Sequence, residues 1–154
     1  MIALKRILVP TDFSEASEAA VKYARAFAEA FNASLEVLHV MEDPFIYAPT
    51  SEGYVPPPGL LEEMERTSRE RLNAVLPEDV QRKLRAEVVL KKGSPFVEIV
   101  RYAREHEVDL IVMGTHGRGP IAHMLLGSVA EKVVRKAPCP VLTVRHPEHG
   151  FVMP

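Results

Sequence analysis

Short apolar runs, alternating along the chain with stretches at helical spacing, constrain this chain more than any other feature. Ile7-Leu8-Val9, Leu35 to Met41, Ala86 to Leu90, Leu110 to Met113 and Pro140 to Val144 are such runs. Ile7-Leu8-Val9 and Leu110 to Met113 are apolar at successive positions, as expected of strands covered on both faces. Between the first two runs, Ala16, Ala20, Tyr23, Ala24, Phe27 and Phe31 recur at the period of an amphipathic helix. The order reads βαβ(α)βαβαβ. That alternation predicts an α/β fold with a mostly parallel sheet and helices on both faces. At 154 residues the chain is one domain by length, and about two-thirds of its unfolded surface becomes buried.

Local signals set the expected boundaries. The first strand stops at Pro10, which has no N–H for a central ladder. Ser14 caps the helix that follows, with Glu15 and Glu18 in its first turn and Asn32 as its stop. Leu60, Leu61, Met64, Ser68, Leu72 and Val75 mark a second helix ended by Pro77, and Glu78 to Arg85 adds a possible helical turn. Ser94-Pro95 opens a helix reaching about His106. Ser128 and Glu131 are spaced as a capping box for a last helix to about Lys136. Residues 44–59 hold five of the 13 prolines and form a long Pro-rich loop. Residues 147–154 form a frayed tail, leaving a domain of residues 1–146.

Composition excludes several classes. Hydrophobic residues make up 47% and charged residues 26%, so a packed core is expected. Nineteen cations against 21 anions leave a net charge of −2, which lacks the basic footprint of a nucleic-acid binder. The single cysteine, Cys139, permits no internal disulfide. It reads as a small buried apolar group rather than a nucleophile. The apolar runs are too short to span a bilayer, and no signal-peptide pattern is present. A reduced, cytoplasmic protein is therefore expected.

The strongest chemical signal lies after the fourth strand. Gly114, Gly117, Gly119 and Gly127 are four of the eight glycines, and they occupy a loop that ends at a helix N-terminus. Glycine admits close approach of a backbone to a ligand, and a helix N-terminus attracts anions. The loop reads as a phosphate cradle; the alternative is a tight turn with Ser128 as a helix cap. No Walker lysine precedes Ser128. Gly117-Arg118-Gly119-Pro120-Ile121-Ala122 formally fits the dinucleotide pattern, but no acid follows at the distance a ribose needs. The six histidines are scattered without a zinc pattern. Ser128 lacks a hydrolase elbow.

Gly114-x2-Gly117-x9-Gly127-Ser128 resembles the ATP-binding signature of the universal stress protein family. Ile7 to Ser14, Leu38-His39-Val40, Asp109 to Gly117, Ser128 to Val134 and Pro138 to Leu142 are similar to that family's other recognisable blocks. The resemblance implies a Rossmann-like three-layer sandwich of the adenine nucleotide alpha hydrolase type. Its five-stranded parallel sheet would have the order 3-2-1-4-5. Adenosine would be flanked by Pro10, Thr11 and Asp12, with the adenine edge against the backbone of Val40 and the ribose against Gly114. Gly117, Arg118, Gly127, Ser128 and Val129 would cradle the phosphates of ATP, or of AMP or cyclic AMP, with Mg2+. It also implies a homodimer through strand 140–144, and a regulatory role with at most slow ATP hydrolysis.

The residues alone leave other readings open. Asp12 suits a site acid or an Asx-turn into the helix, and Arg118 suits a phosphate contact or a solvated loop position. The competing functions are a nucleotide-dependent enzyme, such as an adenylating one, and an interaction module that binds no nucleotide.

Overall fold

The computed structural model describes residues 1–43, 57–115 and 126–146. Gly117, Arg118, most of the Pro-rich stretch and the tail 147–154 lie outside the described residues. Five strands, β1 (Arg6–Pro10), β2 (Ser34–Met41), β3 (Glu87–Lys92), β4 (Leu110–Gly114) and β5 (Val141–Val144), form one parallel sheet ordered β3-β2-β1-β4-β5. The helices are α1 (Glu15–Phe31), α2 (Leu60–Asn73), α3 (Glu78–Lys83), α4 (Pro95–Glu105) and α5 (Ser128–Lys136).

Strand alternation divides the core into two layers. Ile7, Val9, Leu35, Val37 and Val112 pack with the alanines of α1 and with Leu72, Leu76 and Val80. Leu8, Leu38, Val40, Ile111 and Met113 pack with Ile99, Tyr102 and Ala103 of α4 and with Ala130 and Val133 of α5. The buried positions of the central strands are therefore apolar on both faces, because both faces are covered. Glu36 is the exception. It is buried on the α4 side of β2, and its Oε2 has no hydrogen-bond partner among the described residues. Burial and the neighbouring Glu36 charge hold the Tyr102 phenol well above its usual range.

One local boundary holds and two expectations are corrected. Pro10 is the last residue of β1, as expected, and is paired with Leu38. The Thr11 N–H continues the ladder to Leu38 O at 2.8 Å. By the alternation of a parallel ladder, the bond Pro10 lacks would face β4, and the β1–β4 register already ends at Leu8–Ile111. Ser128 is the first residue of α5 and Gly127 is its cap, with no side-chain capping bond. One residue out of place, Ser128 and Glu131 cannot form the reciprocal box, and Glu131 pairs with Arg135 instead. β3 starts one residue later than the apolar pattern suggests and runs through Lys91 and Lys92, which pair with Val40 and Met41.

Other signals hold. Ser14 caps α1, and Asn32 ends it in the left-handed region at φ 52. Pro95 opens α4, although Ser94 makes no side-chain capping bond. The ambiguous stretch before β3 contains α3.

Gly114 has a packing reason. A Cβ there would lie 2.9 Å from the Ala16 backbone, where α1 crosses the end of β4. Gly114→Ala should therefore lower stability by about 1–3 kcal/mol in urea unfolding. An unchanged midpoint would show that α1 does not press on β4.

Candidate functional site

The carboxyl ends of β1 and β4 diverge, and a cleft of about 590 Å³ opens there. This is where ligands bind in open parallel sheets, at the reversal of strand order. The cleft is lined by Pro10, Thr11, Asp12, Val40, Gly114, Gly127, Ser128 and Val129. These are eight of the ten residues singled out in the sequence. The other two, Gly117 and Arg118, lie outside the described residues.

The turn from β1 into α1 shapes one wall. Thr11 is buried, and its Oγ1 accepts from Phe13 N at 3.0 Å. Ser17 Oγ donates to Ser14 O at 2.8 Å, so the Thr11 hydroxyl donates to Ser17 Oγ at 3.0 Å. Asp12 Oδ1 accepts from Ser14 N at 3.0 Å and from the Ser14 hydroxyl, while Ser14 Oγ accepts from Ser17 N at 3.3 Å. Asp12 thus makes the Asx-turn and lines the cleft at once, so the two readings of this residue coexist. The turn forces Phe13 to φ 64, a conformation costing a non-glycine residue about 1 kcal/mol or more.

Residues not singled out in the sequence complete this wall. His39 Nδ1 lies 2.8 Å from Thr11 O, and a carbonyl only accepts, so Nδ1 carries the hydrogen. The His39 ring lies 4.4 Å from that of Phe13. The Arg71 guanidinium lies over the Phe13 ring at 4.2 Å from its centroid. Met64, Thr67, Ser68 and Arg71 line the cleft from one face of α2. Their i, i+3, i+4, i+7 spacing was the available signal. For His39 it was strand alternation, which separates its side chain from those of Leu38 and Val40.

The opposite wall is the start of α5. Thr115 N donates to Val144 O at 2.9 Å, and Gly127 N donates to Thr115 O. These bonds tie the end of β4 to the residue capping α5. The first bond within the helix runs from Glu131 N to Gly127 O at 2.9 Å. The amides of Ser128, Val129 and Ala130 precede it, no side chain among the described residues caps them, and all three residues line the cleft. Such amides, with the helix dipole behind them, form an anion-binding end.

Nucleophilic chemistry has little support. Burial, and then the Asp109 charge, push the half-buried Cys139 thiol above its usual range. Among the described residues, no three His, Cys, Asp or Glu side chains are grouped to hold a metal. No described helix is long and apolar enough to cross a membrane.

Thr11→Val keeps the shape and removes the hydroxyl, leaving Phe13 N–H and Ser17 Oγ without that partner. A loss of about 1–3 kcal/mol in chemical unfolding is expected, with Thr11→Ser nearer wild type. Equal stability of Thr11→Val and wild type would show that the hydroxyl does not hold the turn.

The universal stress protein family model matches residues 3–145. Universal stress protein MJ0531 of Methanocaldococcus jannaschii is 36% identical over 145 residues, covering 94% of this chain and 84% of that protein. The structure of universal stress protein UspA from Lactobacillus plantarum superposes with a TM-score of 0.72 at 29% identity, covering 94% of this chain and all 100% of the other. A universal stress protein solved in complex with cAMP superposes with a TM-score of 0.58 at 31% identity, over 93% and 98% of the two chains. The matched residues span the sheet, both walls of the cleft and the helices behind them: this chain belongs to the universal stress protein family.

Proposed function

We propose that the protein is a regulatory adenine-nucleotide-binding protein that holds ATP in the cleft between β1 and β4. The carrying observation is the start of α5, where Ser128, Val129 and Ala130 line the cleft and their amides have no side-chain cap among the described residues. Phosphate oxygens there accept charge-assisted hydrogen bonds from backbone N–H groups. Gly127 lets the phosphates approach, and Gly117 and Arg118 extend the cradle. The base lies by the backbone of Val40, with Pro10 and Thr11 beside it and the ribose between Asp12 and Gly114. A relative at 31% identity that was solved with cAMP supports the adenine reading.

Mg2+ enters with the polyphosphate. Asp12 and Glu42 are the carboxylates among the described lining residues, too few to form a protein cage. Asp12 Oδ1 already accepts two hydrogen bonds from Ser14, which suits an anchor better than a general base. Hydrolysis is therefore slow at most, and the protein reports the nucleotide pool to partners in the cytoplasm during stress.

Calorimetric titration with ATP tests the reading. Saturable heat with one nucleotide per chain is expected, and Gly127→Val should weaken binding by about 100-fold or more, the equivalent of two charge-assisted bonds. No heat and no thermal shift at millimolar ATP would overturn the proposal.

The protein is further proposed to dimerise through β5. That strand is at the sheet edge, where unpaired ladder groups invite a second strand. Val141, Leu142 and Thr143 are only half-buried in the single chain. Val141→Lys should sediment as a monomer, and an unaltered mass would refute pairing through β5.

A further inference from the structure

α2 carries Arg66, Arg69 and Arg71, and the three are used differently. Arg66 pairs with Glu63 and Glu70, and Arg69 pairs with Glu65 at 2.9 Å, along the helix. Arg71 has no ion pair among the described residues, and it is the one Lys or Arg among those lining the cleft. Its guanidinium instead lies on Phe13, whose ring also meets His39. A planar cation held on an aromatic ring is pre-organised, with less side-chain freedom left to lose on binding a ligand.

Its place in the fold selects what it meets. α2 packs on β2 and β3, whereas α5 packs on α4 and β5. In the order β3-β2-β1-β4-β5, Arg71 therefore stands at the opposite end of the cleft from the α5 amides. A nucleotide with its phosphates on α5 sends its base towards β2 and α2.

We propose that Arg71 holds the purine base, with α2 forming the base-selecting wall of the cleft. This rests on the nucleotide reading above and assigns a residue to its other end. The guanidinium acts as a planar cation on the π-system of the base, and the Phe13 ring keeps it in place. The ligand class is a purine nucleoside or nucleotide, recognised at this end independently of its phosphates.

The test titrates wild type, Arg71→Lys and Arg71→Met with adenosine, AMP and ATP, with melting temperatures as the folding control. Both variants should lose about fivefold in affinity, by the same factor for all three ligands. Lysine keeps the charge without the plane, so it should not rescue. A loss confined to AMP and ATP and restored by lysine would make Arg71 a phosphate contact and overturn the inference. Unchanged affinities in folded variants would leave Arg71 a packing residue and overturn it too, while wild-type binding kept the nucleotide reading intact. Should Arg71→Met fail to fold, Arg71→Lys decides alone. Wild type binding none of the three would overturn both readings together.

Discussion

Thr11 joins three elements through four hydrogen bonds, and the cleft depends on it. Its N–H extends β1 along β2 through Leu38 O, and its carbonyl accepts from His39. Its hydroxyl accepts from Phe13 N and donates to Ser17 in the first turn of α1. These bonds turn the chain out of the sheet, start α1 and set the Phe13 ring at the mouth of the cleft. Because Thr11 is buried, losing any of them costs more than the same loss at the surface.

The second constraint is the parting of β1 and β4. Their register holds only at Ile7–Leu110 and Leu8–Ile111. Beyond it β1 stays with β2, and β4 continues with β5. The space between is flanked by the Thr11 turn and by the first residues of α5. One wall carries planar groups and hydroxyls, the other uncapped amides. That asymmetry suits a ligand with a ring at one end and an anion at the other, which describes a nucleotide.

Much of this was legible in the sequence for physical reasons. Strands covered on both faces must be apolar throughout, so Ile7 to Val9 and Leu110 to Met113 were unambiguous. Asn32 ends α1 because its side chain tolerates the left-handed region, and Pro95 opens α4 because its fixed φ suits a first helical residue. The glycine spacing from Gly114 to Gly127 points to the end of the sheet where the cleft lies, although Gly114 is also required by the approach of Ala16. Pro10 ends β1 as its missing N–H suggests, and it can still pair with Leu38 because that N–H would face the other neighbouring strand. The capping box at Ser128 failed by one residue, a shift that composition does not reveal. Arg71 and His39 stayed hidden because their importance comes from strands and helices meeting across the chain. Glu36 was hidden for the opposite reason. A lone acid inside an apolar strand suggests an exposed position, and only the packing of α4 over β2 shows it buried.

The central claim is that one cleft takes a nucleotide with phosphates on α5 and base by β2. Backbone amide resonances followed during an ATP titration test it most directly. The account predicts the largest shifts at Ser128, Val129 and Ala130, with a second group at Thr11 to Phe13 and Val40, and little change at the opposite end of the sheet around Leu4 to Arg6. Shifts concentrated at that opposite end, or none at saturating ATP, would contradict it.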